Sequence, residues 1–196
     1  MRAYSALPAG YHPVRSVDLQ NDKKTALTIN GGASAGMVVL AAIGHFLFVP
    51  LRELLPAAPT DDFSGVLLRL IVLLAGMLAY TVLHELTHAA VMKAVGGRQV
   101  RFGFTGLYAY AGSELDWFDR SAYLCISLAP VVVWGLAFTA LLCLVPRSWF
   151  WVAYLLQVMN LTGAAGDFYV ACLTLRMPER VLARDTGVAM TFFLDQ

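Results

Sequence analysis

The sequence predicts an all-α membrane protein, a bundle of about four transmembrane helices with small cytoplasmic β elements. Two observations lead to this fold class. Hydrophobic residues make up 59% of the 196 residues and charged residues only 14%, which leaves too little polar surface for a soluble domain of this length. The apolar residues also fall into four segments long enough to cross a bilayer, which takes about 20 residues.

The predicted spans divide the chain into a membrane core and two ends. The core covers residues 33–175, between an N-terminal tail, 1–32, and a C-terminal tail, 176–196, and the whole of 1–196 is interpreted as a single membrane-embedded domain. Within the core the predicted spans are 33–51, 63–95, 123–145 and 149–175.

The distribution of Lys and Arg predicts the orientation of these spans. Positive residues gather in the N-terminal tail, in the loop between spans two and three and in the C-terminal tail, and they are sparse in the other two loops. Because positive loops stay on the cytoplasmic side, we expect both termini in the cytoplasm. The expected location is the cytoplasmic membrane of a prokaryotic cell.

Short segments outside the spans predict the β elements. Residues 24–30 and 187–193 alternate weakly in polarity and are predicted as short strands, which on the same side of the membrane can pair with each other. The glycine-punctuated stretch 96–112 predicts a hairpin or an irregular strand at the membrane surface.

Charge and cysteine content exclude several classes of function. The net charge of +1 gives no electrostatic footprint for nucleic acid. Cys125, Cys143 and Cys172 lie in apolar runs without CxxC spacing, so they predict neither a disulfide framework nor a thiolate metal site.

One motif near the end of the second predicted span has residue types and spacing that predict a metal site. On a helix, residues four apart share a face, so the imidazoles of His84 and His88 can bind one metal ion. Glu85 then projects near the open coordination position, where it can take a proton from metal-bound water and pass it to a leaving amine. The alternative is that two interfacial histidines only bind backbone carbonyls, but a carboxylate in an apolar helix is costly and usually functional. The motif reads His84-Glu85-Leu86-Thr87-His88.

A catalytic zinc site has three protein ligands, so the motif lacks one. Asp167, the only acidic residue in the fourth span, reaches a depth similar to that of His84 when about 1.5 Å is counted per residue from the outer ends of the two spans. Asp167 is therefore the favoured third ligand, with a solvated carboxylate at a helix end as the alternative. His45 lies too deep and is interpreted as a packing or cavity residue. The remaining candidates are His12, Glu114, Asp116 and Asp119.

Two further polar or helix-breaking residues lie in the last two spans. Asn160 precedes Asp167 by two turns, and its amide can orient a substrate, donate a hydrogen bond to a developing oxyanion, or join two helices. Both the catalytic and the structural interpretations of Asn160 stay open. Pro130 is expected to kink the third span, which can open a cavity or simply be tolerated.

This combination of residues resembles a family of membrane-embedded zincin peptidases of unknown function. The resemblance rests on the HExxH motif, on Pro130 in span three, and on Asn160 and Asp167 in span four. It extends to both ends of the chain, where Leu7-Pro-Ala-Gly-Tyr11 and Asp185-Thr-Gly187 match that family's ends.

That family is in turn similar to the site-two proteases, which are intramembrane zinc metalloproteases. The resemblance implies a Zn²⁺ cofactor held by His84, His88 and Asp167, with Glu85 as general base. It also implies that 96–112 presents an edge strand to an unwound substrate. The sequence departs from the site-two pattern at Gly163, where that pattern has proline, and at Phe168, where it has glycine.

The sequence therefore predicts a zinc-dependent intramembrane endopeptidase that acts on a membrane protein or peptide within the lipid bilayer. Two alternatives come from other classes of function. One is a metal-binding transporter or sensor, which the apolar outer halves of the spans disfavour. The other is a non-catalytic scaffold on a peptidase fold, which has no physical need for Glu85.

Overall fold

A computed structural model of the protein describes residues 1–18, 21–54, 63–104 and 109–195. Of the described residues 64% are helical, and a small antiparallel sheet accompanies the helices. The helices are α1 (Lys23–Ile43, continued by a π-helical turn at Gly44–Phe48), α2 (Phe63–Ala94), α3 (Arg120–Leu144), α4 (Phe150–Gly163) and α5 (Ala165–Arg176). The strands are β1 (Ala3–Tyr4), β2 (Tyr11–Asp18), β3 (Arg101–Phe104), β4 (Ala109–Gly112), β5 (Trp117–Asp119), β6 (Leu182–Asp185) and β7 (Ala189–Asp195), and short 3₁₀ turns lie at Leu51–Glu53 and Arg147–Trp149.

Among the described residues, three helical segments are long and apolar enough to cross a membrane: Lys23–Phe48, α2 and α3. The fourth predicted span is broken at Ala164, and α4 and α5 meet the requirement only when they are counted as one interrupted span. The prediction of about four spans is therefore confirmed for three of them, and the fourth is divided, with α5 beginning as a separate helix just before Asp167.

The prediction of a strand at 24–30 is wrong, because these residues form the first turns of α1. The carboxylate of Asp22 accepts hydrogen bonds from the backbone N–H of Thr25, at 3.1 Å, and from its hydroxyl group, at 2.6 Å. Such a cap satisfies amides that the start of a helix leaves without a partner and favours a helix over a strand. The segment 187–193 does contribute to a strand, β7, but β7 pairs with β2 and β6 and not with 24–30.

The chain forms two compact units, and the first comprises residues 1–30, 81–130 and 166–196. Its sheet has the order β1-β5-β6-β7-β2, with every neighbouring pair antiparallel. Both predicted tails are therefore folded, since they supply four of these five strands. The sheet and helix residues that form the core of this unit include Phe118, Ala183, Phe192, Met92, Tyr123, Ile126 and Val170.

The first unit also contains the predicted hairpin within 96–112. Strands β3 and β4 pair antiparallel, with Phe102 opposite Ala111 and Gly103 opposite Tyr110. The connection at 105–108, which includes Tyr108, lies outside the described residues. Before the hairpin, the backbone amides of Arg98 and Gln99 both donate to Asp116, at 2.9 Å.

The second unit comprises residues 31–80 and 131–165. Its side chains pack in two apolar clusters, one of which joins Leu73 and Tyr80 to Phe138, Val152 and Leu156. The other contains Val49, Trp151, Tyr154 and Val158. Apolar helices that pack against one another are expected to form such clusters along the faces that they share.

Candidate metal centre

The two motif histidines lie one turn apart on α2. Their ring centroids are 4.9 Å apart, and the ring planes meet at 79°. Only 12% of the His84 side chain and 10% of the His88 side chain are exposed. The helical spacing of four residues therefore places two partly enclosed imidazoles side by side, as the sequence predicted.

Asp167 brings a carboxylate from α5 to both imidazoles. Its Oδ2 atom lies 3.1 Å from His84 Nε2, and its Oδ1 atom lies 3.3 Å from His88 Nε2. Two ligand atoms bound about 2.05 Å from a tetrahedral zinc are roughly 3.3 Å apart, so the same separations that suit hydrogen bonds between these groups also suit two ligands of one zinc ion. The structure thus brings together the three residues that the sequence analysis proposed as ligands.

A hydrogen bond to Nδ1 fixes the tautomer of the His88 ring, whose other nitrogen, Nε2, faces Asp167. His88 Nδ1 lies 2.9 Å from the carbonyl oxygen of Ile126 on α3. Because a carbonyl only accepts, Nδ1 carries the hydrogen, and Nε2 of the neutral ring presents a lone pair to the carboxylate. Nε2 of the neutral ring therefore lies on the side of Asp167, where it can bind a metal ion, as the ring of a metal-binding histidine does when its other nitrogen is held by a hydrogen bond.

Glu85 lies beside the histidines and is held from the hairpin. Donor atoms of His84, Glu85 and His88 all lie within 4.8 Å of one another, so Glu85 is also within reach of a metal. However, its Oε2 atom already accepts a hydrogen bond of 2.9 Å from the backbone N–H of Ala111 on β4. The two oxygen atoms of Asp167 each reach a histidine, whereas one of the two oxygen atoms of Glu85 is held by the hairpin.

A cavity of about 150 Å³ adjoins these groups. The residues that line it include Glu85, His88, Asp167, Ile126, Asp185 and Gly187. Its walls are partly apolar, since Met92, Val170 and Met190 contribute to them as well. The site therefore has a space of its own beside the proposed ligands and base.

Asp185 is a carboxylate in this cavity wall to which the sequence analysis gave no role. Its Oδ1 accepts the N–H of Gly187, at 2.8 Å, and its Oδ2 accepts the hydroxyl group of Tyr123, at 2.9 Å. Burial raises the pKa of Asp185, while the hydrogen bonds from Gly187 and Tyr123 act in the opposite direction. The Asp185-Thr-Gly187 turn was the available signal, since Asp and Gly at this spacing mark a turn.

The other acidic candidates for the third ligand are occupied elsewhere. Asp116 is buried, and its Oδ2 accepts the hydroxyl group of Ser113 in addition to two backbone amides. Asp119 caps α3 through the N–H of Ala122, at 2.8 Å. Glu114 is mostly exposed and lies 3.8 Å from Arg101. Within the described residues, these three carboxylates therefore bind a loop backbone, the first turn of α3 and a surface arginine, and not the motif histidines.

The two remaining histidines lie in other surroundings. His12 is an exposed residue of β2, opposite Leu194 of β7. His45 belongs to the π-helical turn in the second unit, where its Nδ1 accepts the backbone N–H of Leu51 at 2.8 Å. His45 therefore binds the backbone of the following turn, and its interpretation as a packing or cavity residue stays a prediction.

Asn160 is placed in the second unit, whereas the proposed ligands and Glu85 belong to the first. Its side chain is fully buried. The Oδ1 atom accepts the hydroxyl group of Tyr80 at 2.9 Å, and the Nδ2 atom donates to the carbonyl of Val131 at 3.1 Å. Both ends of the amide thus join helices within one unit.

Comparison with known proteins identifies one family. The family described as "Putative zincin peptidase" matches residues 77–182, which is more than half of the chain. The match includes the HExxH motif, the hairpin, α3 and Asp167. No curated protein and no solved structure matches the chain.

Proposed function

Because the chain belongs to this family of zincin peptidases, we propose that it is a zinc-dependent intramembrane endopeptidase that hydrolyses peptide bonds of membrane proteins. One observation carries the proposal. Each of the two imidazoles lies within 3.3 Å of an oxygen atom of Asp167, and donor atoms of both lie within 4.8 Å of the Glu85 carboxylate. A histidine pair, an acidic ligand and an adjacent base form the set that zinc peptidases use.

His84, His88 and Asp167 would hold the metal. When bound, zinc acts as a Lewis acid that polarises a peptide carbonyl group and makes water more acidic. Glu85 accepts the proton of the attacking water and delivers it to the amine that leaves. The backbone N–H of Ala111 orients Glu85 for this transfer by binding one of its oxygen atoms.

The apolar helices support a substrate in the membrane. The HExxH motif lies on α2, and this helix is long and apolar enough to span a bilayer. His84 is 21 residues beyond the first residue of α2, or roughly 32 Å along the helix axis. This distance is close to the thickness of the hydrocarbon layer, which favours a site near one face, where water can enter.

The hairpin offers a way to hold an extended substrate. Strand β3 pairs with β4 along one edge, and Phe102 and Phe104 of β3 are exposed. Strand β4 carries the Ala111 amide that contacts Glu85. A substrate helix that unwinds can add to the β3 edge as a further strand, which would place its backbone on the same hairpin as this contact.

The test is Glu85→Gln in membranes of cells that make the protein. Metal analysis by mass spectrometry should find about one zinc per chain in both wild type and variant, because the ligands are unchanged. New N-termini of membrane proteins, identified by terminal-peptide mass spectrometry, should appear with the wild type and disappear with Glu85→Gln. The control Glu114→Gln, at an exposed carboxylate, should behave as the wild type.

The possible outcomes separate the three classes of function. If Glu85→Gln keeps its zinc but the new N-termini disappear, the result supports the peptidase. Termini that persist in Glu85→Gln contradict the role of Glu85. Bound zinc with no wild-type cleavage favours a transporter or sensor, and absence of zinc even after reconstitution favours a scaffold.

A further inference from the structure

A proline on α3 occupies the position whose N–H would bind the carbonyl group that orients His88. In an α-helix the N–H of residue 130 would donate to the carbonyl of residue 126. Residue 130 is Pro130, which has no N–H, and it lies in the interior of α3. The Ile126 carbonyl thus lacks its ordinary helical donor, and His88 Nδ1 lies 2.9 Å from it.

From this coincidence we infer that Pro130 is a positioning residue for the metal centre. By leaving the Ile126 carbonyl without a helical donor, it provides the acceptor that holds the His88 ring and keeps the hydrogen on Nδ1. The inference rests on the proposed function, since it takes His88 as a metal ligand. Neither the family match nor the HExxH motif assigns any role to this proline.

The surroundings of the contact make it specific. Both Pro130 and Ile126 are almost fully buried, and His88 is 8% exposed, so water competes little for the Ile126 carbonyl. A ligand histidine whose second nitrogen is held in this way presents a fixed ring and a more basic ligand nitrogen. Loss of such a partner typically weakens metal binding by about 10- to 100-fold.

The Pro130→Ala variant tests the inference, because it restores a backbone N–H that competes for the Ile126 carbonyl. Zinc affinity is measured in detergent by competition with a chromophoric chelator, and thermal unfolding of the zinc-free protein is followed in parallel. We expect zinc affinity to fall roughly 10-fold or more. The zinc-free variant should be as stable as the wild type or more stable, since alanine favours a helix interior over proline.

Two matched changes isolate the missing N–H from the loss of the proline ring. Pro146→Ala changes an exposed proline ahead of the Arg147–Trp149 turn and should leave zinc affinity unchanged. An α-hydroxy acid introduced at position 130 by nonsense suppression has neither the ring nor an N–H, and it should restore the affinity that Pro130→Ala loses.

Each outcome bears on the inference. Weaker zinc binding in Pro130→Ala with unimpaired folding supports it, as does rescue by the α-hydroxy acid. Unchanged zinc affinity in Pro130→Ala overturns it, and so does weaker binding that the α-hydroxy acid does not rescue. A wild type that binds no zinc at all would instead contradict the proposed function, so the two failures are distinguishable.

Discussion

The carboxylate of Asp167 lies 3.1 Å from the imidazole of His84, although 83 residues separate them in the sequence. His84 lies late on α2, and Asp167 lies in the first turn of α5. Because of the break between α4 and α5 at Ala164, a new helix starts at Ala165, two residues before Asp167. Negative charge in a first helical turn is favoured by the amides at that end of the helix, so the break places Asp167 where a carboxylate suits the helix as well as a metal.

The first prediction concerns this third ligand. Asp167→Asn should weaken zinc binding strongly, because a neutral amide oxygen is a much poorer zinc ligand than a carboxylate. Glu114→Gln, which neutralises an exposed carboxylate in the hairpin region, should leave zinc binding unchanged. Chelator competition on both purified variants measures the difference, and the reverse order would move the third ligand into the loop before α3.

The second prediction concerns the link between metal and stability. The three proposed ligands come from α2 and α5, so a bound ion joins the parts of these two helices that lie in the first unit. Zinc at about 100 times its dissociation constant should stabilise the fold by about 2.7 kcal/mol. The measurement is thermal unfolding in detergent with zinc and with a chelator. The double variant His84→Ala/His88→Ala should unfold at one temperature in both conditions, and a zinc-dependent shift in it would place the ion elsewhere.

The parts of the site that the sequence predicted depend on local spacing. His84, Glu85 and His88 are fixed relative to one another by the helix that carries them, so four residues of sequence suffice to place them. Asp167 was found by counting residues along two spans, which works because a bilayer limits where a helix can start and end. The family resemblance rests on these residues together with Pro130, Asn160 and the two chain ends.

The contacts that the sequence did not predict are made by backbone groups. The N–H of Ala111 binds Glu85, and the carbonyl of Ile126 binds His88. Every residue has these backbone groups, so the identity of the side chain gives no signal for either contact. The strand predicted at 24–30 failed for a related reason, since weak alternation was outweighed by the cap that Asp22 provides. The sheet built from both chain ends depends on long-range pairing, which local polarity does not encode.

The third prediction separates the two interpretations of Asn160. Both ends of its amide already bind Tyr80 and Val131, so we expect a structural role. Asn160→Leu should then lower stability by about 1 to 2 kcal/mol and leave cleavage intact. Tyr80→Phe is the matched control, because it removes one of these hydrogen bonds without touching Asn160. Loss of cleavage in Asn160→Leu alone, at equal stability of the two variants, would show the catalytic role instead.

The last prediction concerns the turn between β6 and β7, which packs against the strand that contacts Glu85. Gly187 has a φ of +84°, and a methyl group there would lie 2.6 Å from Tyr110 and 2.9 Å from the carbonyl oxygen of Ala111. Gly10 has a similar φ of +88°, but a methyl group there would meet nothing within 4 Å.

The two glycines therefore share the same backbone strain, about 1 to 2 kcal/mol for a side chain, and only Gly187 adds a steric overlap. Gly187→Ala should cost about 1 to 3 kcal/mol more than Gly10→Ala, as measured by chemical or thermal unfolding. Hydrogen exchange at Ala109–Gly112 should accelerate in Gly187→Ala alone, because the turn displaces β4 and loosens the bond between the Ala111 N–H and Glu85. Equal exchange in both variants would mean that β4 is held by its pairing with β3 and not by this turn.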